Sequence, residues 1–267
     1  MISGQNVLYA ETVFRMYSPQ PDSYRRGDYV FQKATDDSVF WYGILSKDND
    51  TLKIFDQGFD RRMTRTAVIP SPSGADDSLL IVEQYSGGAH CCWTYRFLDL
   101  SGESLKEIFS SGDYPVGYQG SYVDLNNDGT NEWTQYLLTF DYFLVLSHAM
   151  APIIPVIFKF ENGTFVPANP EFRSILLKDI NSSKQFLKNS SPIHEPIRGD
   201  SHQLETFSHL MKVMLTLYYS GQHDEALRIF RKYYQANDAS TILLQINMKL
   251  QGCRVYREIL NRYFEKN

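Results

Sequence analysis

Two periods run along the chain. Up to about residue 168, apolar and aromatic positions alternate in short runs broken by Gly, Asn, Asp and Pro; beyond residue 200 they recur every three to four residues. Alternation puts successive side chains on opposite faces of a strand, whereas the longer period lines them along one face of a helix. The pattern predicts strands near residues 28–33, 38–46 and 51–56, with Lys47-Asp-Asn-Asp50 turning the last two into a hairpin. A second group is predicted at 78–85, 92–100 and 105–109, turning at Ser101-Gly-Glu-Ser104. A third follows at 133–140, 153–160 and 165–168, turning at Glu161-Asn-Gly-Thr164. The second and third groups share one order of strands and turns, offset by about 55 to 60 residues, as meandering antiparallel units of the propeller-blade kind are. Two or three such units are too few to close a ring, so an open or sandwich-like arrangement is expected. Trp93, Tyr95 and Phe97 alternate onto one face, as do Val156, Phe158 and Phe160, giving each hairpin an aromatic side to bury.

From 181 to 200 the chain turns polar, with paired serines, Pro192, Pro196 and Gly199, and reads as a linker. Asp200 and Gln203 then resemble a capping box that opens a helix with Leu204, Phe207, Leu210, Met211, Met214, Leu217 and Tyr218 on its apolar face. A second helix starts at His223-Asp-Glu225, whose acids suit a helix N-terminus, and a final stretch runs from Asp238 as N-cap to Phe264 with a break near Gly252. The expected fold class is therefore α+β. Residues 1–180 form an antiparallel β-meander domain (propeller-blade-like or sandwich), 181–200 a linker, and 201–267 a small C-terminal α-helical bundle.

Between two of the predicted strands lies Asp124-Leu-Asn-Asn-Asp-Gly-Thr-Asn-Glu-Trp133. Asp124, Asn126 and Asp128 alternate, so a tight turn aims their oxygens inward. Gly129 allows the bend, Thr130 offers a carbonyl and Glu132 adds a further carboxylate, an oxygen set suited to Ca2+. A helix-loop-helix calcium hand is a poor match, because it needs a bidentate Glu at its twelfth position and Gln135 stands there. Crowded carboxylates repel one another without a cation, so the expected role of the metal is structural. The competing reading is a solvated Asn/Asp/Gly turn.

Composition narrows the function classes. The 267 residues carry a net charge of −5, which disfavours nucleic-acid binding, and no apolar run reaches the ~18 residues of a membrane span. The first twenty residues lack the basic-then-apolar order of a signal peptide, so the reading is a cytoplasmic protein or a mature form. His90, Cys91 and Cys92 bring three metal or redox groups together, yet neighbours on a strand point to opposite faces and do not converge on one ion. Structural cysteines are the first reading. In an oxidising compartment the candidate bonds join Cys91 to Cys92, or one of them to Cys253. The basic residues Arg228, Arg231, Lys232, Arg254 and Arg257 read as a solvated face. No nucleophile elbow, P-loop, dinucleotide fingerprint or HExxH pair is present.

Gly-Gly-Ala-His-Cys-Cys92, the acidic turn about thirty residues later and Ala151-Pro-Ile-Ile-Pro-Val-Ile-Phe-Lys-Phe-Glu-Asn-Gly-Thr-Phe-Val166 together resemble bacterial FG-GAP/VCBS-type calcium-loop proteins of unknown function. Gly221, Ala226 and Phe230 resemble a single tetratricopeptide-type hairpin. The first resemblance implies a periplasmic or secreted, calcium-stabilised β domain without an established activity. Two functions follow as expectations. One is a non-enzymatic binding protein of the cell envelope, meeting an unknown protein or glycan partner through the helical hairpins or through the loops around 86–91 and 141–152, with His90 and His148 on the loop surface. The alternative is an enzyme or redox protein that uses His90-Cys91-Cys92.

Overall fold

A computed structural model describes residues 23–26, 28–35, 41–48, 50–55, 64–72, 78–85, 92–101, 105–198 and 200–265. Among them, strands β1 (Ser23–Arg26), β2 (Tyr29–Thr35), β3 (Trp41–Lys47) and β4 (Asp50–Phe55) form one sheet; β5 (Thr64–Pro70), β6 (Ser78–Tyr85), β7 (Trp93–Asp99) and β8 (Lys106–Ser110) form a second; β9 (Ser121–Val123), β10 (Glu132–Tyr136), β11 (Pro155–Glu161) and β12 (Thr164–Pro167) form a third. Each sheet keeps its four strands in chain order, an antiparallel meander, and the described strands close no barrel. The second and third predicted groups correspond to the last three strands of their sheets. The opening strands β1 and β5 lie where the sequence shows no clear alternation.

The turns follow from local chemistry. Lys47 pairs with Asp50 across a two-residue turn in which Asp48 has φ +50°. Asn162 (φ +52°) and Gly163 (φ +80°) join β11 to β12, the left-handed pair that a tight hairpin requires.

The chain divides into two compact units, one running up to Trp133 and including Phe160–Phe165, the other made of Thr134–Lys159 and the chain from Val166 onward. In the first unit the second sheet is covered on both faces, and β6 is accordingly buried from Leu79 to Gln84. Leu80, Val82 and Leu98 face one way and join Tyr29, Phe31 and Leu45 of the first sheet in one apolar cluster. On the opposite face Phe97 stands edge-on to Phe109 and Trp133, at 5.4 and 5.1 Å between ring centroids, and 5.1 Å from Phe165. Aromatic pairs of this geometry add about 0.5–1.5 kcal/mol each beyond the area they bury.

The second unit holds helices α1 (Arg173–Asp179), α2 (Asn181–Lys188), α3 (Ser201–Tyr219), α4 (His223–Tyr233), α5 (Ala239–Gly252) and α6 (Arg254–Tyr263). Its division from the first unit falls at residue 133/134, because the loop after β10 belongs with the helices: Ser208 Oγ donates to the Met150 carbonyl (2.6 Å) and Lys249 Nζ to the Thr139 carbonyl (3.0 Å). Helix α2 occupies the first half of the expected linker. Leu187 and Ser183 are buried, and Phe186 stacks on His209 at 4.2 Å, so tertiary packing overrides the weak helix propensity of its Asn and Ser residues. Asp200 caps α3 as expected, accepting the Gln203 N–H at 2.9 Å. Asp238 does not cap α5. Its carboxylate instead accepts the Tyr234 hydroxyl at 2.9 Å. The break between α5 and α6 falls at the extended Cys253, one residue beyond Gly252.

Candidate functional site

The acidic turn is positioned by what flanks it. Gly120, just before β9, lies against the face of Trp133 so closely that a methyl group there would come within 2.0 Å of the ring; no larger residue fits. The Gly120 N–H also donates to the Tyr95 hydroxyl (3.0 Å), which donates onward to Glu83 Oε2 (2.8 Å), both groups fully buried. The turn between Gly120 and Trp133 is thus hung from the second sheet at both ends.

Within the turn the predicted oxygens face inward. Asp124 accepts the amides of Asp128 (3.1 Å) and Gly129 (2.9 Å), one on each carboxylate oxygen. Asn126 Oδ1 accepts the Asp128 N–H at 3.1 Å and its Nδ2 donates to Asp128 Oδ2 at 2.8 Å. Asp128 Oδ1 accepts the Thr130 N–H at 2.8 Å, and Glu132 reaches back to the Leu125 N–H at 2.8 Å. Asn127 (φ +61°) and Gly129 (φ +89°) supply the left-handed steps that fold Asp124, Asn126 and Asp128 toward one another. Asn126 and Asp128 are exposed while Glu132 is fully buried, so the turn opens to solvent on one side and roots in the core on the other. Among the described residues no group of three or more His, Cys, Asp or Glu side chains is already arranged around a common metal position. The carboxylates are held by the turn's own amides. A carboxylate offers about four acceptor positions, so the two amides on Asp124 orient it without exhausting it.

His90 and Cys91 lie outside the described residues. Cys92 has φ +84° and is disulfide-bonded, whereas Cys253 is a free, buried thiol, so the expected alternative that joins it to another cysteine is not formed. The Tyr219 hydroxyl (3.3 Å) and the Thr139 hydroxyl (3.5 Å) both approach Cys253 Sγ. Burial raises the Tyr219 pKa well above that of an ordinary phenol, so this group holds its proton. Cys253 Sγ is enclosed away from solvent.

His148 sits in the long loop after β10, its Nδ1 at 2.7 Å from both carboxylate oxygens of Asp141. The same loop exposes Tyr142 (70 %), Leu144, Val145 and Ile153, half of the large hydrophobic side chains exposed among the described residues. Tyr142 (φ +51°) and Leu144 (φ +54°) are both left-handed, at a cost of about 1 kcal/mol or more each for residues with a side chain. Buried Phe140, Phe143 and Leu146 anchor it from beneath. The sequence pointed to this loop only by its length; the strained backbone beneath an exposed tyrosine has no signature in residue type.

His209 and His223 are embedded in the helical unit. Burial lowers the pKa of each, Lys212 adding to the effect at His209. No helix among the described residues is long and apolar enough to cross a membrane. Set against known proteins, the chain matches no family model, no curated protein and no solved structure.

Proposed function

We propose that the chain is a non-enzymatic binding protein whose β portion is braced by Ca2+ at Asp124, Asn126, Asp128, Thr130 and Glu132. The carrying observation is the inward gathering of Asp124, Asn126 and Asp128 around the left-handed Asn127 and Gly129, with Glu132 closing the turn from the core. Three acidic or amide side chains held that close gain most from a hard cation that accepts oxygen ligands in flexible geometry. Three four-stranded meanders, the middle one covered on both faces, support the blade-like reading of the sheets and its likeness to FG-GAP/VCBS-type proteins. A disulfide at Cys92 fits an oxidising, extracytoplasmic compartment. The exposed Tyr142, Leu144, Val145 and Ile153 are the surface offered to a protein or glycan partner.

Thermal melts with calcium and with chelator test the reading. Calcium at about a hundred times its dissociation constant stabilises a fold by about 2.7 kcal/mol, so the wild type melts higher with the ion than without it, and Asp128→Ala removes the difference. Trp133, next to Glu132, reports the same binding by fluorescence. A wild-type melt indifferent to calcium sinks the proposal. Zinc or copper bound in place of calcium, together with a reactive low-pKa thiol, moves the function to the His90-Cys91-Cys92 stretch.

A further inference from the structure

Two of the three most exposed large hydrophobic side chains among the described residues stand on one helix. Leu244 is 60 % and Met248 66 % exposed, four residues apart on α5. Positions four apart lie on one helix face, so the two form a single outward ridge. Their face runs the length of the helix: Ser240, Thr241, Asn247, Gln251 and Gly252 fall on it by the helical period and are all exposed, while Ile242, Ile246 and Leu250 bury the opposite side. No charged side chain lies on the exposed face. The one cation of α5, Lys249, stands on the flank and donates to the Thr139 carbonyl at 3.0 Å.

Charge depletion, with methionine among the apolar groups, is what distinguishes the centre of a protein–protein contact from ordinary surface. A methyl group at Gly252 would meet nothing within 4 Å among the described residues, and the backbone there is not left-handed, so neither space nor conformation within the chain calls for glycine. The face is also close to palindromic about Ile246. Two copies of α5 laid antiparallel set Leu244 of one beside Met248 of the other, Thr241 beside Gln251, and Ser240 beside Gly252. Large apolar group meets large apolar group, hydroxyl meets amide, and small residue meets small residue. A two-fold contact requires such a match, because if position i of one copy meets position j of the other, then j also meets i. The antiparallel order further brings the N-terminal end of one helix to the C-terminal end of the other, where their opposite partial charges attract.

We propose that α5 joins two copies of this chain in an antiparallel, two-fold dimer centred on Leu244 and Met248. A helix of 14 residues is about 21 Å long and offers only part of the roughly 800 Å2 per partner that a standard interface buries, so the dimer is weak, with a dissociation constant on the order of 10–100 μM. A lipid surface fits the face less well, because a helix that lies in a bilayer interface carries several cations along its polar side, and the one cation of α5 is engaged by the Thr139 carbonyl. A different protein would not need the palindrome. Neither the acidic turn nor the exposed side chains of the loop after β10 take part in this contact.

The test is sedimentation velocity of the full chain from about 1 μM to about 500 μM. The weight-average mass is expected to rise from that of the 30.9 kDa monomer toward twice that value. Leu244→Glu and Met248→Lys are each expected to weaken association about tenfold or more, since each sets two like charges into the apolar centre, one from each copy. Both side chains are more than half exposed, so the melting temperature of either variant at about 1 μM stays within about 2 °C of the wild type, which separates lost association from lost folding. Mixing the two variants, or combining both substitutions in one chain, is expected to tighten association about fivefold or more over either variant alone, because the antiparallel order then sets the new carboxylate beside the new ammonium. A parallel pairing would set like charges together in the doubly substituted chain. A chain that stays monomeric at about 500 μM, association that Leu244→Glu leaves unchanged, or no recovery in the mixture and the combined variant overturns the proposal. Binding of a monomeric chain to phosphatidylcholine vesicles, lost in Leu244→Glu, overturns it in favour of a lipid surface.

Discussion

His209 lies half-buried against Phe186, with its Nδ1 3.0 Å from Ser183 Oγ; His223 lies among the rings of Tyr218, Tyr256 and Phe264. Burial lowers both pKa values below the ordinary 6.5, so each ring folds as the neutral form. The Tyr218 carbonyl and Asp224 oppose this at His223, and Glu205 opposes it at His209, without reversing it. The unfolded chain then binds more protons than the native one just below 6.5, so the contribution is fully present above that value and is lost as the pH falls toward the folded-state pKa. Acidification from about pH 7.5 to about pH 5.5 is therefore expected to lower the melting temperature, and His209→Gln/His223→Gln to shrink that drop. An unchanged drop in the double variant would show that other groups carry the acid sensitivity.

The turn between α3 and α4 shows what an element demands of single residues. Gly221 combines φ +79° with an approach by Phe264 that would bring a methyl group within 2.2 Å of the ring. The left-handed backbone alone calls for glycine in this turn; the second constraint comes from Phe264, more than forty residues later. Gly221→Ala is expected to destabilise the helical unit by about 1–3 kcal/mol, read from urea unfolding followed by helical circular dichroism. A loss of a few tenths would mean that Phe264 moves aside freely. Other elements were legible to different degrees. Asp200 caps α3 as its spacing promised, because capping is decided within four residues. Asp238 has the same residue type and fails to cap, because Tyr234 one turn earlier takes its carboxylate. Helix α2 was not legible, since its stability comes from burying Leu187 and stacking Phe186, neither of which its own eight residues reveal.

For the molecule as a whole, the middle sheet determines how much rests on any one side chain. Phe97 is fully buried and meets Phe109, Trp133 and Phe165 on a face where two sheets meet, so Phe97→Ala is expected to cost about 3–5 kcal/mol in chemical denaturation. A cost near 1 kcal/mol would mean that the neighbouring rings collapse into the space. Alternation, turn residues and the acidic bend were all readable from the chain alone, because strand faces, left-handed turns and inward-pointing oxygens are set by neighbours within about ten residues. So was the helical period after residue 200. The double burial of β6 and the buried setting of Cys253 beside Tyr219 and Thr139 were decided only by the tertiary structure. Each depends on groups tens of residues apart brought to a few ångströms, and no local pattern of residue types encodes such a distance.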